Sequence, residues 1–463
     1  MKKRVFLPAI LFVLWMLFVA LACNLTGDTA PPTLVPRATS TPPPTIGYAT
    51  LSPEELPEQA ATQPPGGPRT ETTLLNLINQ VEPDRLFLHI DSLQRTFTRH
   101  VNSPSNLPDR GIGAAYNYIN AQFAAIRDAS QGRFVLLPPH EFVVEWANVQ
   151  TIGRNVVGLV QGTETGAGVI VVGAHYDSTS NAYEDGNAYA PGANDNASGV
   201  AALIELARIM SQRSPRATIM FVAFGAEEFS RQGSIAFVQE YLLANNIKID
   251  AMLNMDIIGS STGPDGSIDD ERIRMFSEGP NESPSRQLAR TIDLLIDRHV
   301  PNMTLELQGD VDRAGRYSDH MSFSEAGYPA VRFIEMLENP NRNHNNMDTL
   351  DGIRASYLMR ATQSVLASLA VLADGPRPPR NITLRDDGNG LRTLVWERTA
   401  DATSYIVALR RPNSLIYDNY FETSDVFVQW DGFVASRFTG IAISALDSSG
   451  LMGPFSVEYT ITS

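Results

Sequence analysis

The sequence contains one cysteine, Cys23, in 463 residues, so no disulfide can close within the chain and the fold must rest on its core alone. It has no Lys/Arg-rich run, and 51 acidic against 36 basic residues leave a net charge of −15, which argues against a nucleic-acid partner. No G-x-S-x-G elbow frames Ser178 or Ser198, which argues against a serine hydrolase. Between Asn24 and Thr70 bulky apolar side chains are scarce, and eleven of the thirty prolines fall there among Thr, Ala and Gly. Such a stretch cannot bury a core, and residues 24–70 are expected to be a disordered Pro/Thr-rich linker.

What is present begins at the N-terminus. Lys2, Lys3 and Arg4 precede an apolar run that ends Ala20-Leu21-Ala22-Cys23, which has the charged, apolar and small-residue regions of a secretory signal. The cysteine directly after the small residue resembles the lipobox of bacterial lipoproteins, with Ala20 where that motif usually carries Leu. Residues 1–23 are therefore expected to be a lipoprotein-type signal peptide. That implies an extracytoplasmic protein, secreted across the cytoplasmic membrane and anchored to it by lipid at Cys23; the alternative is an uncleaved anchor helix.

With 43% hydrophobic residues the remaining chain can bury a sizeable core, and its length allows about three domains. From residue 71, helical spacing of Leu74, Leu77, Ile78 and Val81 opens a domain in which apolar strands alternate with helices. Strands are predicted at 154–162, 169–174, 218–224, 249–254 and 330–334, and helices at 85–98, 114–127, 198–212, 234–245, 285–299 and 356–373. This alternation predicts an α/β domain with a largely parallel central sheet flanked by helices, over residues 71–374. "GPRPPRN" from Gly375 marks a boundary. Beyond it, short strands predict a small all-β sandwich over 375–463, whose Trp396, Tyr405 and Ile406 resemble a fibronectin type III module. It carries no ligand candidates, so the 71–374 fragment is expected to fold and act without it.

The chemistry lies just after the apolar strands. "GAHYDS" carries His175 and Asp177, "PGANDNASG" carries Asp195, "GAEEFS" carries Glu227 and Glu228, "NMDIIG" carries Asp256, and "NHNNMDT" carries His344 and Asp348. In open α/β sheets the loops at the carboxyl ends of the strands converge on the ligand. Two histidines and several carboxylates there make a site suited to zinc. Five donors, His175, Asp195, Glu228, Asp256 and His344, suit two ions if one carboxylate bridges, and ions ~3.5–4 Å apart can polarise a carbonyl together. Asp177, two residues after His175, is placed to accept the second imidazole N–H. Glu227 and Glu228 point different ways, so one should bind metal and the other act as general base; spacing does not say which.

These motifs, with "SDHMSFSEAGYPAVRF", occur in the order seen in the co-catalytic two-zinc aminopeptidases, the secreted bacterial leucyl aminopeptidase-like zinc exopeptidases, which this chain resembles over residues 72–372. The resemblance implies a three-layer zinc exopeptidase fold and two Zn²⁺ per chain. It implies that Asp195 bridges them, with His175 and Asp256 completing one site and Glu228 and His344 the other. Glu227 would be the general base, Asp177 would orient His175, and the Asp195–Asn196 peptide would be cis. Many relatives carry an aromatic residue before the last ligand histidine. Asn343 stands there, leaving Tyr317 as a substitute for any hydroxyl aid to the oxyanion. Ser318, Asp319 and His320 are expected to wall or support the site, and His89, His100, His140 and His299 to be structural.

The function expected is a monomeric exopeptidase that removes N-terminal residues from peptides by a two-metal mechanism with a Glu base. Glutaminyl cyclase shares the fold but uses one zinc, so His175 and Asp256 together argue against it. A carboxypeptidase would need a cation for the terminal carboxylate, which Arg313, Arg316 or Arg332 could supply. A non-catalytic binding ectodomain would have lost ligands, and all five are present.

Overall fold

The computed structural model describes residues 49–50 and 72–462. The expected signal segment, and all of the expected linker except residues 49 and 50, lie outside the described residues. Among the described residues no helix is long and apolar enough to cross a membrane.

Val169–His175 (β4) shows how the sheet is built. Its sequence VIVVGAH is rich in β-branched residues and is buried on both faces, as a central parallel strand must be. Ile170, Val172 and Ala174 join one apolar cluster while Val171 joins another, following the two-residue period of a strand. Thr218–Phe224 (β5), Ala251–Met255 (β6) and Ala330–Glu335 (β9) run parallel to it.

Outside this parallel centre lie the three-residue apolar strand Phe134–Leu136 (β1) and four strands whose sequences mix polar and apolar residues, His140–Trp146 (β2), Val149–Val160 (β3), Arg272–Ser277 (β7) and Thr304–Leu307 (β8). The order is β1-β3-β5-β4-β6-β9-β7-β8, with β2 on β3. Of these outer strands only β3 was predicted, because the others lack a long apolar run. β3 and β7 pair antiparallel to β5 and β9, so the sheet is mixed at its edges and parallel where the site forms.

One face is covered by Thr72–Ile78 (α1), Pro83–Gln94 (α2), Gly111–Ala129 (α3), Ser198–Met210 (α4), Pro284–His299 (α6) and Ala355–Asp374 (α8). The other is covered by Gln232–Ala236 (α5), which continues as a wider turn through Leu243, and by His320–Glu325 (α7). The result is three layers.

After α8 the chain forms two antiparallel sheets. Thr383–Gly388 (β10), Leu391–Val395 (β11) and Phe427–Trp430 (β14) make one. Ser404–Arg410 (β12), Asn419–Thr423 (β13), Gly440–Leu446 (β15) and Tyr459–Thr460 (β16) make the other, with Ala49–Thr50 alongside β13. Their facing side chains, including Trp396, Tyr405, Val428 and Ile443, form a core of their own.

The expectation that residues 71–374 fold alone conflicts with the packing. One continuous apolar cluster holds Leu288, Leu295 and Leu369 of the helices together with Ile406, Tyr417, Ala442 and Phe455 of the β-sheets. Burial of each large apolar side chain contributes about 1.5–3 kcal/mol, so separation would expose a substantial apolar area. A buried ion cluster crosses the same seam. Glu458 accepts from Arg410 at 2.6 Å and lies 3.4 Å from Arg290 of α6, which also donates to the Leu415 carbonyl at 2.9 Å. Glu458→Ala would leave two guanidinium groups buried without their carboxylate. It is expected to lower the unfolding free energy by about 3–5 kcal/mol, read from urea denaturation; a loss below about 1 kcal/mol would show that this seam does not hold the two parts together.

Candidate active site

Because β4, β5, β6 and β9 are parallel, the loops after them open on the same edge of the sheet. His175 is the last residue of β4, Glu227 and Glu228 follow β5, Asp256 follows β6, and His344 lies in the loop after β9. Asp195 comes from the turn Ala193–Ala197 that leads into α4, and its peptide bond to Asn196 is cis. The structure brings all of these side chains together.

Asp195 is the centre. One of its oxygens lies 3.4 Å from His175 Nε2 and the other 3.0 Å from His344 Nε2. His175 Nε2 also faces Asp256 Oδ1 at 3.2 Å and Glu227 Oε2 at 3.8 Å. His344 Nε2 faces Glu228 Oε2 at 3.1 Å. Two groups of three therefore share one residue: His175, Asp195 and Asp256, and Asp195, Glu228 and His344. Within each group the donor atoms all lie within 4.8 Å of one another, close enough for a single cation.

Backbone hydrogen bonds hold the loops of this cluster in place. Both oxygens of Asp177 accept main-chain N–H bonds at 3.0 Å, from Glu227 and from Glu228. Asp177 Oδ1 is 3.6 Å from His175 Nδ1, longer than a hydrogen bond, so its main contact is with the glutamate pair. Asp348 treats the aspartate loop in the same way, accepting from the N–H groups of Asn194 at 2.8 Å and Asp195 at 2.9 Å. Asn196 ties that loop to the next, donating to the Met255 carbonyl at 2.8 Å. Arg99, fully buried, donates to the carbonyls of Tyr176, Pro191 and Gly192. Arg332 clamps Asp256 Oδ2 at 2.8 Å and Asp312 Oδ2 at 2.8 Å.

Three non-glycine residues beside the cluster, Ala226, Ile257 and His344, have φ of 60°, 62° and 54°. For a β-branched residue such as Ile257 this is an outlier. Strain of this kind costs about 1–3 kcal/mol per residue and persists only where the surroundings fix it.

The electrostatics show what the site is short of. Burial pushes Asp195 up, but the histidines on either side outweigh it and hold this carboxylate well below its usual range. Burial pushes Asp256 up as well, but Arg332 and His175 together outweigh it and leave this carboxylate lowered. Burial opposes the His175 imidazolium, yet Glu227 and Asp256 raise it well above the ordinary histidine value. His344 is raised by Glu228. Glu227 and Glu228 are both pushed up, chiefly by burial. Burial also raises Asp319 to about 7. Four carboxylates thus crowd two imidazoles and one guanidinium, and buried Glu228 Oε1 has no hydrogen-bond partner. A donor set of this kind, with an orphaned carboxylate oxygen, fits divalent cations with borderline-hard preferences.

Residues 155–369 match the family described as peptidase family M28. A protein of Leptosphaeria maculans named "probable zinc metalloprotease" is 32% identical over 399 residues, covering 78% of this chain and 90% of that one. The chain belongs to peptidase family M28. Solved structures share the fold of this M28 chain at lower identity. The LapA aminopeptidase of Legionella pneumophila is 22% identical with a TM-score of 0.51, covering 65% of this chain and 75% of its own. LapB of the same organism is 21% identical with a TM-score of 0.53, covering 71% and 79%.

Other sequence expectations resolve as follows. His320 is fully buried and bonds the Val311 carbonyl at 2.9 Å, 3.7 Å from Asp312 Oδ2; it supports the site through Asp312 and Arg332. Tyr317 is half-exposed. His89 pairs with the Tyr118 hydroxyl and His140 with Asn155. The role of Arg99 was not foreseen, since its partners lie in distant loops. Asp348 stood in a quoted motif but had no role; its place in "NHNNMDT", four residues after His344, was the available signal.

Proposed function

We propose that this M28 peptidase is a zinc-dependent aminopeptidase in which two ions share Asp195. Zinc is supported by the name of the Leptosphaeria maculans relative and by the donor set. The observation that carries the two-ion reading is the shared aspartate: one oxygen faces the His175 group and the other faces the His344 group. His175, Asp195 and Asp256 would hold one ion, and Asp195, Glu228 and His344 the other. When bound, such ions supply Lewis acidity to the scissile carbonyl and lower the pKa of a water molecule.

The remaining chemistry belongs to the chain. Glu227 reaches the His175 side of the cluster without belonging to either group of three. Its main chain is fixed by Asp177. In this reading it would take a proton from the attacking water and return it to the leaving amine.

Cleavage at the amino end is supported by charge. A carboxypeptidase needs a free cation for the terminal carboxylate of its substrate. Each of the three arginines that could serve is matched by acids: Arg332 by Asp256 and Asp312, Arg313 by Asp312 and Glu338, Arg316 by Glu338. N-acetylation of an aminoacyl-anilide is expected to abolish its hydrolysis, while C-terminal amidation of a peptide changes little. Glu227→Gln is expected to lower kcat by about 10²–10⁴-fold with metal content unchanged. Cleavage of the acetylated substrate, or near-normal rates in the Gln variant, would contradict the assignment.

We also propose that the chain acts outside the cytoplasm, anchored through a lipidated Cys23, on the strength of its signal-type N-terminus. Cys23→Ala is then expected to release the protein from the membrane fraction or block its processing; a membrane-bound, normally cleaved variant would rule out lipidation.

A further inference from the structure

The two ligand histidines are held by different means. His175 ends a central strand and its side chain is 1% exposed, so packing fixes its ring. His344 lies in an irregular loop with a left-handed backbone, and its side chain is 24% exposed. Packing alone does not hold it.

What meets its ring is Tyr183. The phenol oxygen lies 2.8 Å from His344 Nδ1, and the two rings stand perpendicular, at 89° with centroids 5.9 Å apart. Nε2 of the same ring faces Asp195 and Glu228. The two nitrogens of an imidazole point away from each other, so the phenol sits behind the ring, on the side away from the carboxylates. That placement suits a group that orients the histidine. It does not suit one that touches a substrate.

Tyr183 is itself anchored, by its backbone. Its carbonyl accepts from Trp146 Nε1 at 2.6 Å and from His100 Nε2 at 2.9 Å. His100 Nδ1 accepts from the Asn102 N–H, which leaves the proton on Nε2 for Tyr183. Trp146 and His100 both pack edge-on against Phe229, the residue after Glu228. The loop that carries the phenol is therefore tied to the loop that carries Glu228, without help from the Tyr183 side chain. That side chain belongs to a residue 42% exposed, so burial does not account for it.

We infer that Tyr183 is the positioning residue for His344: its phenol oxygen accepts the Nδ1 proton and so keeps the Nε2 lone pair directed at the cation shared with Asp195 and Glu228. An imidazole ligand needs its proton on the other nitrogen, and a hydrogen-bond partner there sets both tautomer and ring orientation. The inference rests on the two-ion reading above. It also places a tyrosine hydroxyl behind the last ligand histidine from a separate loop, in a chain that has Asn343 immediately before that histidine.

The test is Tyr183→Phe in the full chain, which removes only the hydroxyl and keeps both bonds to the main-chain carbonyl. Zinc binding to the metal-free protein is titrated against a competing chelator, with urea unfolding of the metal-free protein as a control. Wild type is expected to take up two equivalents. The variant is expected to lose about 10–100-fold in affinity for one equivalent, keep the other, and retain its unfolding midpoint, with kcat recovering in excess zinc. Cobalt(II) loaded at one to two equivalents gives a second readout, since the visible spectrum of only one site should change. Two equivalents bound with wild-type affinity by the variant would overturn the inference, as would equal weakening of both or a lowered unfolding midpoint. A wild-type protein that takes up a single zinc would instead refute the two-ion reading on which it rests.

Discussion

The constraint on which the site depends is charge. Asp195, Glu227, Glu228 and Asp256 are all taken out of water into one small volume. Two like charges 4 Å apart repel by about 4 kcal/mol at an effective dielectric of 20, so this grouping cannot stand without compensation. The chain supplies part of it. Asp195 lies between two imidazoles, and Asp256 is clamped by Arg332. The glutamate pair has less, and both of its members are pushed up toward the protonated form. Divalent cations between the two groups of three would supply the missing charge.

Holding this geometry is the work of groups that never reach the cluster. Asp177 and Asp348 each spend both oxygens on main-chain N–H groups of the loops that carry Glu227, Glu228 and Asp195. Arg99 gathers the carbonyls of Tyr176, Pro191 and Gly192 under the same loops. Left-handed Ala226, Ile257 and His344 turn the chain sharply beside the donors. Such strain is tolerated because the parallel strands beneath are buried on both faces, so the loops start from a rigid base. Function here is a loop property that rests on the central sheet.

Much of this was legible in the sequence. β4, β5, β6 and β9 announce themselves as apolar runs, and each is followed by a polar motif; parallel pairing then places those motifs together. The five donors and both glutamates could be found that way because their signal is local. Outer strands β2 and β7 were not found, since their sequences mix polar and apolar residues. Nor could the sequence show that Tyr183 meets His344, 161 positions away, or that Arg99 supports the loop from 190 to 193. Such contacts depend on the folded path of long loops, which carry no periodicity. The shared core between the helices and the C-terminal sheets was hidden for a related reason. A Pro-rich junction after Asp374 marks a change of architecture, and composition says nothing about how closely the two parts pack.

The central claim is that one aspartate serves two ions. Diffraction from crystals of the zinc-loaded protein, collected on both sides of the zinc absorption edge, tests it directly. Two anomalous peaks about 3.5–4 Å apart are predicted, one contacting His175 and Asp256, the other Glu228 and His344, with Asp195 between them. A single peak, or a second one that makes no contact with Asp195, would contradict the account.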